Sequence, residues 1–184
     1  ATRADTPRQA AEGADVVITM LTDDAAARQV WLHPETGALA GMSPGALAVE
    51  SSTVTPGWIA ALGEDADAAG VRLVDAPVAG STPQAEARQL AYLIGGAEAD
   101  VADAMPVLTL MGAKHLHVGP RGQGAVFKLV VNALFATQVA AISELLKMAA
   151  DQGLSEERTL SLLRPLPVTS PAAAGVAGLM LAAD

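Results

Sequence analysis

The sequence predicts an α/β region followed by an all-helical one, on three observations. Short β-branched runs alternate with helical patterns as far as Gly119, the order that right-handed crossovers onto a mainly parallel sheet require. After Gly119 no strand pattern recurs. Between the two regions lies GPRGQGAVFKLVVN, residues 119 to 132, where a glycine-punctuated turn feeds a long apolar helix carrying one lysine and one asparagine.

The elements follow in order. Thr6-Pro7 opens a short helix, with a hydroxyl at the N-cap and proline at the first helical position, that ends near Gly13. Ala14 to Leu21, ADVVITML, is a continuous β-branched run of strand length, the pattern of a strand buried on both faces in a parallel sheet. Asp23 and Asp24 cap a helix to about Trp31, and Ala46 to Glu50 is the next strand. After the turn SSTVTP, Thr55-Pro56 opens a helix to about Ala69, and Val71 to Asp75 is a further strand. The loop APVAGSTPQ leads to a strand at Leu90 to Ile94, a helix from about Ala97 and a last strand at Lys114 to Val118. Residues 122 to 152 read as one helix closed by Gly153 at C′. Ser155, with Glu156 and Glu157, opens another. Pro165, Pro167 and Pro171 then break the chain before a final apolar helix. A domain boundary falls at about residue 120.

Composition narrows the function. The chain is 51% hydrophobic, 17% charged and 3% aromatic, which describes a folded protein packed from small aliphatics. A formal charge of -9 argues against a nucleic-acid partner, because neutralising phosphates takes clustered Lys and Arg. With no cysteine, disulfides, zinc-thiolate sites and cysteine nucleophiles are excluded. The run from Ala172 to Ala183 is too short to span a membrane, and the longer apolar stretch is interrupted by Lys128 and Asn132. The first residues, ATRADTPRQA, lack the apolar core of a secretory signal. A cytoplasmic protein with no membrane partner is the expectation.

Lys128 and Asn132, four apart, share one helix face, and their neighbours from Ala125 to Phe135 are apolar all round, as in a helix buried among other elements. Two readings stand. In one, Lys128 lines a cleft, desolvation lowers its pKa, and it exchanges a proton with a substrate oxygen that Asn132 orients. In the other its stem packs on the apolar face and its ammonium reaches water. An α/β region of this kind usually announces a dinucleotide through G-x-G-x-x-G, yet Gly122-Gln123-Gly124 has Phe127 at the third position.

Residues 75 to 96 and 119 to 132 resemble the β-hydroxyacid dehydrogenase family, which includes 3-hydroxyisobutyrate, tartronate semialdehyde and glyoxylate/succinic semialdehyde reductases. DAPVAGS is similar to its substrate loop D-x-P-V-S-G-G, and GQGAVFKLVVN to its catalytic pattern G-x-G-x-x-x-K-x-x-x-N. ADVVITML and VESSTVTP resemble its cofactor-side strand and its S-T-x-x-P turn.

The resemblance implies a partial Rossmann-type parallel sheet lacking its first βαβ unit, where the family's glycine fingerprint lies. Residues 1–119 would be a partial NAD(P)-binding domain. Residues 120–184 would be the interdomain helix and the start of an all-α C-terminal domain, so that the excerpt by itself is expected to be inactive. The implied reaction is reversible hydride transfer between NAD or NADP and a small 3-hydroxy acid or its semialdehyde. The resemblance makes Lys128 the general acid/base and Asn132 its companion on the substrate, and it assigns the substrate carboxylate to Gly80 and Ser81. Position 79 is Ala79, where a serine is frequent. Met20, Leu21, Thr22, Ser52 and Thr53 fall on the cofactor side, at the carboxyl ends of two strands. For Ser52 and Thr53 a plain turn capping the Pro56 helix, and for Gly80 and Ser81 a plain turn, explain the residues equally.

Glu144 reads as a structural mid-helix residue, solvated or paired with a neighbour. His115 and His117 share one strand face without a third ligand in view, and no metal is expected. Two other functions compete. One is an imine reductase, in which the lysine is commonly replaced and against which Lys128 counts. The other is a non-catalytic helical module, since family subunits pair as homodimers or higher homo-oligomers through their helical domains.

Overall fold

The computed structural model describes residues 2–182, and these divide into two compact units with the boundary between Leu129 and Val130. The first unit carries six strands: β1 (Val16–Thr19), β2 (Leu47–Glu50), β3 (Arg72–Asp75), β4 (Val78–Ala79), β5 (Leu90–Gly95) and β6 (Gly112–Gly119). Its helices are α1 (Pro7–Ala11), α2 (Asp24–Leu32), α3 (Pro56–Ala68), α4 (Thr82–Glu86) and α5 (Glu98–Leu108). The strands form one sheet in the order β1-β2-β3-β5-β4, with β6 also paired to β5.

The sheet is mainly parallel, as expected, with its antiparallel pairings confined to β5. β1, β2 and β3 run parallel, as do β5 and β6, but β5 is antiparallel to both β3 and β4. The connection from β3 to β5 explains the reversal. Residues 76 to 89 are long enough for a parallel crossover, but they carry β4, which pairs antiparallel with β5, and only the five-residue α4 in place of a crossover helix of several turns. β4 lies within the stretch APVAGSTPQ that the sequence reads as loop, and α4 begins in it. β1 departs from expectation too: it is four residues long and only Thr19 is buried. It stands at the end of the strand order with β2 as its one neighbour among the described residues, so it is half-covered, unlike β2, whose four residues are all buried.

Alternation along the central strands feeds two cores. Ala48 and Leu73 face Trp31, Trp58, Ile59, Leu62 and Ala125, while Leu47, Val49 and Val74 face Tyr92, Ile94, Val101 and Leu108. Each fully buried aliphatic chain contributes roughly 1.5–3 kcal/mol. Helix starts follow the capping residues the sequence announces: Thr6, Asp23 and Thr55 accept from the N–H groups of Gln9, Ala26 and Trp58. Asp24 then ties α2 to the α3 turn, accepting from the Thr55 N–H at 2.8 Å and its hydroxyl at 2.5 Å.

The 29-residue helix α6 (Gln123–Asp151) begins in the first unit and ends in the second. Gly153, at φ +89°, closes it with a Schellman motif in which the Leu154 N–H reaches the Ala149 carbonyl and the Gly153 N–H the Ala150 carbonyl. Helices α7 (Glu156–Leu163) and α8 (Pro171–Leu181) follow, capped by Ser155 and Ser170. Ile142, Leu146, Leu160, Ala174 and Ala177 form the second unit's core.

The wheel of α6 predicts burial all round, and the structure differs: Val126, Phe127, Leu129 and Phe135 are exposed, with Val130 at 54% and Leu134 at 58%. An all-apolar wheel requires cover on every side, and the described residues cover only part of it. By length and composition alone, with a mean hydropathy of 1.8 over its most apolar stretch, α6 could cross a membrane, although the sequence reading set that aside for Lys128 and Asn132. Core helices of water-soluble proteins pass the same test.

Candidate functional site

The start of α6 is seated on the end of β3. Asp75, the last residue of that strand, is 0% exposed, and its carboxylate accepts the Gly122 N–H at 2.7 Å and the Ala125 N–H at 2.8 Å. Burial pushes its carboxyl above the usual carboxylate range, against the pull of those N–H groups. The G-x-G pattern has a structural meaning here. Gly122 turns the chain at φ +92°, and Gly124 comes so close that a Cβ would lie 2.4 Å from the Leu93 carbonyl oxygen and 2.8 Å from an Asp75 carboxylate oxygen. Gly95, opposite Asp75 in the sheet, is equally tight: a Cβ there would sit 2.5 Å from the carboxylate and 2.7 Å from the Gly124 nitrogen.

Arg121 fixes the turn from outside. Its guanidinium makes a two-pronged ion pair with Asp67 of α3, at 2.8 and 2.7 Å, lying over Gly63 where a side chain would collide with it. The Arg121 hydrogen bonds hold the Asp67 carboxyl below its ordinary range.

Lys128 projects from this anchored turn and is half-buried, and burial lowers its pKa from the ordinary lysine value. It makes no ion pair or hydrogen bond with a described residue. Asn132 follows one helical turn later and is exposed.

The segment after Asp75 is held at its start and open at its tip. Val78 and Ala79 pair with Tyr92 and Ala91, and the Pro77 carbonyl accepts the Leu93 N–H at 2.9 Å. Gly80 is then exposed at φ +133°, a conformation that favours glycine, and a Cβ there would meet the Leu90 side chain at 2.9 Å. Ser81, also exposed, is the N-cap of α4, where its N–H donates to the Gln84 side chain at 2.9 Å.

At the carboxyl ends of β1 and β2 a chain of polar contacts joins the two strands. The Leu21 N–H donates to the Ser52 hydroxyl at 2.8 Å, the Ser52 N–H to Glu50 at 2.9 Å, and the Trp31 indole N–H to the other Glu50 oxygen at 2.8 Å. Leu21 and Ser52 are thus brought together, whereas Met20, at 55%, Thr22 and Thr53 stand exposed beside them. The buried hydroxyls of Thr19 and Ser51 have no hydrogen-bond partner among the described residues. Ligands of open α/β sheets bind at this edge, and two unpartnered hydroxyls with three exposed loop residues fit one end of a nucleotide. The glycine-rich cradle for its pyrophosphate is not among the 184 residues.

Two acidic residues here carry more structure than the sequence reading gave them. The pattern makes Asp75 a strand end and the first letter of a loop motif, and Glu50 a strand end, yet both are fully buried. The available signal is an acid closing a strand directly after apolar residues, in VRLVD and in LAVE, because a carboxylate is almost never fully buried without partners.

The histidines have structural partners. His115 stacks on Tyr92 with ring centroids 5.8 Å apart and reaches the Leu108 carbonyl, while His117 reaches the Gly96 and Gly119 carbonyls. Among the described residues no group of three or more His, Cys, Asp or Glu is placed to hold a metal. Glu144 is exposed on α6.

Known proteins match this arrangement. Residues 1–119 match the family model described as the NAD binding domain of 6-phosphogluconate dehydrogenase. A probable mitochondrial 3-hydroxyisobutyrate dehydrogenase of Dictyostelium discoideum is 31% identical over 95% of this chain and 59% of its own. The solved structure of Mycobacterium tuberculosis 3-hydroxyisobutyrate dehydrogenase with L-serine superimposes with a TM-score of 0.83 at 32% identity, over 92% of this chain and 57% of that one. A variant imine reductase from Myxococcus stipitatus in complex with NAD+ shares the fold, with a TM-score of 0.75 at 20% identity over 97% of this chain and 60% of that one. The chain spans about half the length of the curated relatives it matches. With most of its length matched by one family model, the chain belongs to the family defined by the NAD binding domain of 6-phosphogluconate dehydrogenase, alongside the 3-hydroxyisobutyrate dehydrogenases.

Proposed function

We propose that the chain serves an NAD(P)-dependent oxidoreductase that interconverts a small 3-hydroxy carboxylic acid and its semialdehyde. The observation that carries this reading is the half-buried Lys128, free of any partner among the described residues, one turn from Asn132 on α6, in a chain of this family. The cofactor, NAD or NADP, supplies or accepts the hydride at the carbon that bears the oxygen. Lys128 Nζ takes the hydroxyl proton in oxidation and returns it in reduction, a task its lowered pKa suits. Asn132 holds the same oxygen by hydrogen bonding. Gly80 and Ser81 hold the substrate carboxylate, for which an open glycine backbone and a hydroxyl are suitable donors. Met20, Leu21, Thr22, Ser52 and Thr53 flank the nicotinamide end of the cofactor, a role the unpartnered hydroxyls of Thr19 and Ser51 beside them support.

In this proposal residues 1–119 belong to the nucleotide-binding domain and residues 120–184 to the interdomain helix and the helical domain. The protein works in the cytoplasm as a homodimer or larger homo-oligomer, for which the exposed apolar residues of α6 are the support. The test is to express the protein from its natural reading frame and assay NAD+ and NADP+ reduction with a series of 3-hydroxy acids, L-serine included, beside NAD(P)H oxidation with cyclic imines. Turnover of hydroxy acids supports the proposal. Turnover of imines alone would replace it with imine reduction, against which the retained Lys128 stands.

A further inference from the structure

The other well-defined caps in this chain are local: Thr6, Asp23, Thr55, Ser155 and Ser170 each cap the helix that immediately follows. For α6 the acceptor comes from a different element, 47 and 50 residues upstream, as the side chain of Asp75. A local hydroxyl would satisfy the same orphan N–H groups at less cost, since a buried carboxylate gives up its hydration. What a local cap cannot do is fix the helix relative to the strand.

We infer that Asp75 is a positioning residue: by gripping the first turn of α6 from the end of β3, it sets where Lys128 stands with respect to the segment from Ala76 to Ser81. This rests on the reading of Lys128 as the general acid/base. The geometry is rigid at both ends. The carboxylate binds Gly122 and Ala125 through its two oxygens, which fixes both the height and the rotation of the helix end. Gly95 and Gly124 close around it with no room for a Cβ. Ala76, the first residue of the proposed substrate loop, continues directly from Asp75 and is buried. One side chain thus joins the loop that would hold the substrate to the helix that would hold the proton.

Lys128 lies three residues beyond Ala125, about 4.5 Å along the axis. With its amine on the order of 8 Å from that axis, a helix rotation of about 20° would carry the amine about 3 Å. Misplacement by about 1 Å can cost about a hundredfold in rate. Replacing a carboxylate oxygen by an amide NH2, as in Asp75→Asn, sets one donor against another at Gly122 or Ala125 and releases that grip without changing the side chain's size.

The experiment is a double-mutant cycle in the protein expressed from its natural reading frame: Asp75→Asn, Lys128→Ala and the two together, each checked for folding by circular dichroism and cofactor affinity. The expected result is a loss of kcat of about 10- to 100-fold for Asp75→Asn with KM within about threefold, and a double variant no slower than Lys128→Ala alone. A loss of stability alone would leave the kcat of the folded fraction unchanged. Multiplying losses in the double variant, or a normal kcat for Asp75→Asn, would overturn the positioning role while leaving Lys128 its chemistry. A normal rate for Lys128→Ala would overturn the acid/base reading first and this inference with it. If Asp75→Asn does not fold, Asp75→Glu takes its place, because the extra methylene displaces the helix end while keeping the charge, and the same non-additivity is expected.

Discussion

At the scale of single residues, burial is what separates two lysine readings that the sequence holds side by side. Lys128 is half-buried and unpaired among the described residues, and its lowered pKa comes from desolvation. For a lysine depressed by folding, the unfolded chain binds more protons between the folded pKa and the ordinary value, so stability rises with pH through that window. The penalty is fully present below the folded pKa. Lys128→Met is therefore expected to raise the urea midpoint at neutral pH and to lose that advantage as pH climbs towards the ordinary lysine range; an equal gain at every pH would contradict the shift. The sequence names Lys128, Asn132, Gly80 and Ser81 as candidates by pattern, whereas for Asp75 and Glu50 it shows only an acid closing a strand. Their significance lies in burial and in partners far along the chain, which no local pattern encodes.

At the scale of elements, what was legible is what local chemistry decides. Hydroxyl and carboxylate caps, prolines at first helical positions and the Gly153 closure each act within a few residues, and α2, α3, α6, α7 and α8 begin or end where those residues stand. Gly153→Ala is expected to cost about 1 kcal/mol, since alanine must adopt the positive φ that closes α6. A thermal melt measures this. Gly124→Ala is a harsher change, because the added Cβ meets the Leu93 carbonyl at 2.4 Å and neither backbone can yield cheaply. Hydrogen exchange should show the amides of Gly122 and Ala125 losing protection, and unchanged protection would mean the glycine is not needed for the approach. β4, α4 and the antiparallel pairing of β5 escaped the sequence because strand direction depends on which strand the connection pairs with as it returns, which apolar periodicity does not record. The half-covered β1 and the exposed wheel of α6 escaped it for a related reason: an apolar pattern states that a surface needs cover and does not say what supplies it.

At the scale of the molecule, the family follows from the match over residues 1–119, and the proposed reaction from the convergence of that match with Lys128 and its seat on β3. The 184 residues contain no G-x-G-x-x-G turn. Residues 1–184 alone are therefore expected to show no saturable NADH binding by calorimetry at micromolar concentrations, while the protein from the natural reading frame binds it; tight binding by the 184 residues would mean that the pyrophosphate needs no glycine-rich turn. The central claim is that Lys128 moves the proton of a hydride-transfer reaction. Its most direct test is kcat/KM for the best hydroxy-acid substrate in wild type and Lys128→Ala, with folding and cofactor affinity matched. A fall of about 100- to 10,000-fold is the predicted result, and a rate within twofold of wild type would contradict it.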